Sequence, residues 1–377
     1  MTLPEGVGGR TTLSRPDATR HQVTAVPPAD ADPADARRRH VTIVDVARAA
    51  GVSKSTVSNV VRGVDEVSAA TRERVLEAIE SLNYTPNGIA RQFVRRRTTM
   101  IGVLVGDLGN AYHAQLARVV ERALFRAGYT AVFCNIEGDE ELAVAGVDAL
   151  LEQRVAGFLL LASIERTPQL PASLRRTGVP TVIIGLRQEW TDSVGPHDRE
   201  GGRLATQHLV DLGHRRIGYV RTAMVEAGGD RARHAGYRAV LAGAGLEPAP
   251  GMWWDQGSDT IRVGRAEMPL RDALRGPDAP TAVFVWNDFA AIGLMEACEA
   301  AGIGVPRDLS VVGFDDIAVA GLARISLTTV AQPLDFQAER AVEILLARME
   351  GRAPEKPRHL TVPVELRVRG STAPPRR

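Results

Sequence analysis

The chain has 377 residues, 44% of them hydrophobic, which is room for two or three domains with sizeable cores. No apolar run approaches the roughly 18 residues needed to cross a bilayer, and the opening MTLPEGVGGRTTLSR lacks the apolar middle of a secretory signal. Composition therefore argues against a membrane or secreted protein and for a cytoplasmic one. The net charge of +1 is unevenly spread: residues 37–97 hold 12 Lys or Arg against 6 Asp or Glu, the mark of a polyanion-binding module joined to a non-basic remainder.

Residues 1–39, with the stretch AVPPADADPADA, show neither helical nor strand periodicity and are expected to be a disordered extension. At 41 the texture changes. VTIVDVARAA puts Ile43, Val46, Ala47 and Ala50 on one helical stripe, with Thr42 as N-cap and Asp45 in the capping-box position. Gly51 breaks this helix and Ser53 can cap a second one, whose buried side is Val57, Val60 and Val61. On its other side Lys54, Ser58 and Arg62 recur every four residues beside Ser55 and Asn59, so five polar residues share one exposed face. Such a face meets either water alone or a partner with fixed donors and acceptors. In a basic segment, two helices joined by a tight glycine turn read as a helix-turn-helix, the second helix lying in a DNA major groove. Lys54 suits guanine O6 and N7, while Ser55 and Asn59 can bond purine edges, Asn favouring adenine. A third helix starts at Ser68 with Val75, Leu76, Ile79 and Leu82 as its stripe. Pro86 ends a headpiece spanning 40–86, and the basic link NGIARQFVRRR follows within a hinge placed at 87–98.

From 99 the pattern differs in kind. Short β-branched runs (MIGVLVG, TAVFCN, GFLLLA, TVIIG) alternate with helical stretches, and a second series follows with RIGYV, a less clear segment near 251–257, TAVFVW and SVVGFD. This alternation predicts parallel sheets flanked by helices, and two series predict two lobes over 99–372, leaving 373–377 as a tail. Ligands of such folds sit at the carboxyl ends of the strands, here in the cleft between lobes. Cys134 and Cys298 lack CxxC spacing and are expected as buried thiols. No GxGxxG, P-loop, HExxH or GxSxG occurs and the eight histidines lack metal-ligand spacing, so neither an enzyme nor a metal or cofactor is expected. His208 and His214 read as helix-end residues.

The ordered set VTIVDVARAAGVSKSTVSNVVRG, VSAATRERVLEAIESLNYTPN, LGHRRIGYV, VPRDLSVVGFDD and LTTVAQP closely resembles the LacI/GalR family of bacterial transcriptional regulators over residues 41–372. The resemblance implies an all-α helix-turn-helix headpiece, a hinge helix, a periplasmic-binding-protein-like core, and a homodimer on a palindromic DNA operator. It places base reading on Lys54, Ser55 and Asn59, where many relatives have arginine at the last position. Thr42, Ser53, Thr56 and Ser58 fall at positions that hold phosphates or neighbouring base edges, contacts that orient without specifying sequence. It also implies that Asn87, Ala90 and Phe93 act in the minor groove, Phe93 replacing the usual leucine wedge. Gly88 costs that hinge helix about 1 kcal/mol relative to alanine.

The same resemblance implies a small-molecule effector between the lobes, a sugar sooner than a nucleobase, held by Asn110, Tyr112, His113, Arg231, Asn287 and Asp315. An arginine and an aspartate can grip adjacent hydroxyls, and a tyrosine can cover the apolar face of a sugar. His113 stands where an aromatic is common and Trp286 where a small residue is usual, which suggests a narrower or more polar pocket. Trp253 and Trp254 read equally as stacking or core residues. Either induction or corepression fits. The chain ends soon after the last motif without a heptad tail, as expected of a dimer.

Overall fold

Local rules account for the first three helices. In the computed structural model, which describes residues 41–61, 67–82, 84, 98–161, 167–222, 228–249, 252–254 and 278–376, the chain divides into two units between Arg91 and Gln92. In the first unit, helix α1 (Ile43–Ala50) starts where Thr42 donates its backbone N–H to the Asp45 carboxylate at 2.9 Å and its hydroxyl to the same oxygen at 2.6 Å. It ends at Gly51 with φ 63°, where the Gly51 N–H reaches the Arg48 carbonyl and the Val52 N–H the Ala47 carbonyl, a Schellman ending that favours glycine. Helix α2 (Lys54–Val61) and helix α3 (Ala69–Ser81) close a small core of Val46, Ala47, Ala50, Val57, Val60, Val75, Ala78 and Tyr84. Leu76 departs from the expected stripe and is half exposed, because α3 packs through a face centred on Val75 and Ala78.

The second unit holds two sheets. The first contains strands β1 (Met100–Val105), β2 (Thr130–Asn135), β3 (Gly157–Leu161), β4 (Thr181–Ile184), β5 (Asp192–Pro196) and β11 (His359–Val362), all parallel, in the order β11-β5-β4-β3-β1-β2. Helices α4 (Ala111–Arg126) and α10 (Leu334–Met349) cover one face. Helices α5 (Glu140–Glu152) and α6 (Leu170–Thr177) cover the other. Lobe 2 contains β6 (Ile217–Thr222), β7 (Met252–Trp254), β8 (Ala282–Val285), β9 (Ser310–Asp315), β10 (Thr328–Ala331) and β12 (Glu365–Arg367), ordered β12-β10-β9-β8-β6-β7 with only β12 antiparallel. Helices α7 (Asp198–Asp211) and α8 (Gly228–Gly243) lie on one side of that sheet and α9 (Asp288–Ala300) on the other. The doubly covered sheets explain the continuous apolar runs of β1, β3 and β8, and β7 falls inside the weak segment expected near 251–257.

Among the described residues the chain crosses between lobes three times: from β5 to α7 at His197, from β10 to α10 at Gln332 and Pro333, and from β11 to β12 at Pro363 and Val364. The first and third crossings are tied together, since the His197 N–H donates to the Val362 carbonyl at 2.9 Å. Two expectations need correction. Cys134 is only half-buried, because β2 is an edge strand, whereas Cys298 is buried. The segment from 373 is no loose tail: Ala373 bonds Ser310 in both directions and accepts from the His214 ring at 2.9 Å, and Arg376 pairs with Asp308. His208 and His214 thus hold the C-terminal segment, through Thr372 and Ala373 respectively.

Candidate functional site

The start of α2 carries a cluster of hydroxyls. Ser53 accepts the Thr56 N–H at 3.1 Å as a cap, and its hydroxyl lies 2.7 Å from that of Ser55 and 2.8 Å from that of Thr56. Lys54 and Ser55 are exposed, while Ser58 and Asn59 are half-buried, so the shared polar face is wet at its first turn and partly covered at its second. The cause is the shortness of α2, which packs on both α1 and α3 through Val57 and Val60. Thr42 is exposed at the start of α1. A helix N-terminus with exposed hydroxyls and an adjacent cation suits phosphate and base-edge contacts. Arg62 and the hinge residues Asn87, Ala90 and Phe93 lie outside the described residues, as does the extension 1–39.

In the second unit a charged cluster is built around Arg233. Helices α7 and α8 approach until their backbones touch: a Cβ added to Gly202 would stand 2.1 Å from the Arg233 carbonyl oxygen, and one added to Gly236 would stand 2.1 Å from that of Arg199. This contact sets Arg233 beside Asp198 at the start of α7, to which it donates at 2.8 Å. Its guanidinium stacks 3.6 Å above the centroid of the Phe314 ring and donates to the Trp286 carbonyl oxygen. Asp315, at the carboxyl end of β9 with φ 122°, accepts from the Gln332 side chain at 2.7 Å. Gln332 in turn accepts from the Tyr112 hydroxyl at 3.4 Å and the Gln337 amide at 3.2 Å, so the second crossing joins both lobes.

Burial dominates the electrostatics. It pushes Asp315 up to about 8, against the opposing pull of Arg233 and with help from Asp288. Asp198 is raised by burial and partly restored by Arg233. Burial alone would lower Arg233, but the Asp198 and Asp315 carboxylates more than offset it and hold the guanidinium above its ordinary value. Burial raises the Tyr112 hydroxyl, with Asp315 adding to the shift. Burial also lowers His113, whose Nδ1 lies 3.2 Å from the Asp107 carbonyl oxygen. Asp288 is raised by burial despite accepting from Thr329 and from the Ile317 N–H, and it anchors the turn after β9.

Of the effector residues expected from sequence, Tyr112 and Asp315 join this cluster. Asn110 and Asn287 are buried and cap α4 and α9, accepting from the Tyr112 and Ala290 N–H groups at 2.9 and 2.8 Å. His113 is partly buried beside Tyr112, with ring centroids 5.4 Å apart. Arg231 is corrected: it is exposed on α8, and Arg233, two residues on and so on another side of the helix, is the buried arginine. The signal was present, because Arg233, Tyr237 and Leu241 recur every four residues and the last two are core. Asp198 and Gln332 were missed; both sit at crossings, which no local pattern marks.

A paired-helix module with a polar second helix, joined in one chain to a two-lobed core with a charged cluster at the lobe crossings, is the architecture of a ligand-responsive DNA-binding protein. Residues 42–87 match the family model of bacterial regulatory proteins of the lacI family, and residues 206–372 match the periplasmic binding protein-like domain. The ribose operon repressor of Escherichia coli (strain K12) is 37% identical over 336 residues, covering 88% of this chain and 99% of that protein. The PurR repressor of Aliivibrio salmonicida (strain LFI1238) is 36% identical over 318 residues, 84% of this chain and 94% of its own. Among solved structures, the Lac repressor dimer bound to operator and the anti-inducer ONPF superposes with a TM-score of 0.77 at 30% identity, covering 89% of this chain and all of the other. A LacI-family regulator from Enterococcus faecium with bound ribose gives 0.64 at 28% identity, over 74% of this chain and all of its own. The chain belongs to the LacI family and is a DNA-binding transcriptional regulator. No helix among the described residues is long and apolar enough to cross a membrane.

Proposed function

We propose that this regulator is a cytoplasmic repressor that binds a palindromic operator as a homodimer and releases it when a small sugar binds between the lobes. It acts by binding and not by catalysis. Lys54, Ser55 and Asn59 read bases; Thr42, Ser53, Thr56 and Ser58 hold the backbone or nearby edges. Asn87, Ala90 and Phe93 in a hinge at 87–98 enter the minor groove. The effector is held by Asp315, Tyr112, His113, Asn110 and Asn287, with Arg233 taking the part first given to Arg231.

The observation that carries the effector reading is the cluster of the buried Arg233 and Asp315 with the half-buried Asp198, beside the first and second crossings. Carboxylates and a guanidinium at one spot match the adjacent hydroxyls of a sugar by charge-assisted bonds. A ligand with different affinity for two lobe orientations shifts their populations, and operator affinity follows by linkage. Two measurements test this. Selection from randomised duplex DNA at near-physiological salt is expected to enrich a sequence with two-fold symmetry; enrichment of an asymmetric site would refute the dimer on a palindrome. Arg233→Lys keeps the charge but loses the planar fork, and is expected to leave operator affinity intact while abolishing the response to sugar. A normal response would discredit the pocket.

A further inference from the structure

Trp286 directly follows β8, and its side chain packs against both apolar clusters of lobe 2, the one beneath α9 and the one beneath α7 and α8. A side chain within either layer meets only that layer. Touching both requires the indole to lie across the end of the sheet, at the carboxyl ends of the strands, which is where the cleft opens. Tyr112 reaches the α9 cluster from lobe 1, so the two aromatic residues approach the same floor from opposite lobes. The Trp286 carbonyl accepts from Arg233, placing the residue beside the guanidinium that Asp198 holds. Its indole Nε1 is shielded from solvent and, among the described residues, has no hydrogen-bond partner. A buried donor without an acceptor is costly, and a bound oxygen would remove that cost.

We propose that Trp286 determines effector specificity: its indole N–H donates to an oxygen of the ligand, and its ring closes the floor of the cleft, admitting an uncharged compound the size of one sugar ring. This rests on the reading of the cleft as the effector site. The preference for an uncharged ligand follows from Arg233, whose guanidinium is already paired with Asp198 at 2.8 Å, bonded to the Trp286 carbonyl and stacked on the Phe314 ring, so its charge is spent within the protein and not offered to a phosphate.

The test is calorimetric titration of the full-length protein with D-ribose, D-glucose, ribose 5-phosphate, cellobiose and hypoxanthine. The wild type is expected to bind one of the two monosaccharides and to exclude the other three probes. Trp286→Phe keeps a ring but removes the N–H, and is expected to weaken that binding at least tenfold with ligand-free operator affinity unchanged. Trp286→Gly is expected to admit cellobiose. Wild-type affinity in Trp286→Phe would overturn the donor role. Wild-type preference for cellobiose, hypoxanthine or ribose 5-phosphate would overturn the size and charge selection while leaving the cleft as the effector site. Binding of none of the five by wild type or variants would remove the cleft reading itself, and the proposal with it.

Discussion

The close crossing of α7 and α8 makes a prediction in which two ordinary rules point in opposite directions. Replacing Gly236 by alanine in the middle of a helix stabilises it by up to about 1 kcal/mol on propensity alone. In this structure the new methyl carbon would sit 2.1 Å from the Arg199 carbonyl oxygen, against a normal separation of about 3.3 Å. Backbone cannot yield as a side-chain tip can, so the helices must part by about 1 Å. Overpacking of this kind costs roughly 1–3 kcal/mol and occasionally more. The net expectation is a loss of about 1–2 kcal/mol, read as a fall in Tm of roughly 2–8 °C by calorimetry. Gly202→Ala meets the Arg233 carbonyl at the same distance and is expected to behave alike, and the double variant should lose less than the sum because the first methyl already separates the helices. Gly243→Ala is the control: among the described residues nothing lies within 4 Å of its added Cβ, so its Tm should hold or rise. Since Arg233 and Asp198 are aligned by this crossing, Gly236→Ala should also blunt the effector response. A Tm for Gly236→Ala at or above wild type would refute the close-crossing argument.

Lys54→Ala is expected to cost about 1–3 kcal/mol of operator affinity and to relax preference at one base pair, measured by fluorescence anisotropy on a panel of single-base variants. Gly51→Ala meets no neighbour among the described residues and should destabilise the headpiece by only about 1–2 kcal/mol, the cost of a left-handed residue; hydrogen exchange in α1 and α2 would show it. Asp315 is an acid raised by burial, so the folded state holds its proton more tightly than the unfolded chain, and its contribution is full below about pH 4 and fades as pH rises toward about 8. Urea melts of wild type and Asp315→Asn should therefore diverge across that window, the wild type losing ground, and a constant difference would count against the buried acid. His214→Ala removes bonds to Thr281 and Ala373 and should free residues 370–376 for early proteolysis, with a loss of roughly 1–3 kcal/mol in lobe 2 stability.

Where the sequence was legible, one local rule sufficed. Thr42 with Asp45, Gly51, and the valines of α2 announce the paired helices because caps, left-handed glycine and 3.6-residue periodicity are short-range effects. The apolar runs of β1, β3, β4 and β8 are equally plain, being buried on both faces. The strands that escaped notice were β5, β10, β11 and β12, which are short, polar or near an edge, and whose membership depends on crossings that bring distant segments together. The site failed for a related reason at one position. DRARHAGY offers two arginines, and only a count from the buried Tyr237 and Leu241 back to Arg233 separates them. The pairing of Arg233 with Asp198, 35 residues earlier, depends on two glycines whose importance lies in what is opposite them and not in their neighbours.

The position of the charged cluster bears on how a ligand could be felt at a distance. Asp198 lies one residue after the first crossing, and Gln332, which bonds Asp315, lies on the second. The Tyr112 hydroxyl from lobe 1 and the Gln337 amide from α10 both end on that same Gln332 oxygen. A ligand that takes an oxygen of Asp315 therefore acts on a group bonded to the Gln332 that joins the lobes, and one that takes an oxygen of Asp198 acts next to the first crossing. Interlobe angle and occupancy are then coupled at the crossing itself, through a network in which a bond given to the ligand by Asp315 changes the Gln332 contacts that span the lobes. On this reasoning Gln332→Leu, which leaves Asp198 and Arg233 in place, should retain sugar binding within a few-fold while reducing the change in operator affinity that the sugar produces. Titration calorimetry measures the first quantity and anisotropy the second; parallel losses in both would mean that Gln332 serves only to bind, and that the coupling runs elsewhere.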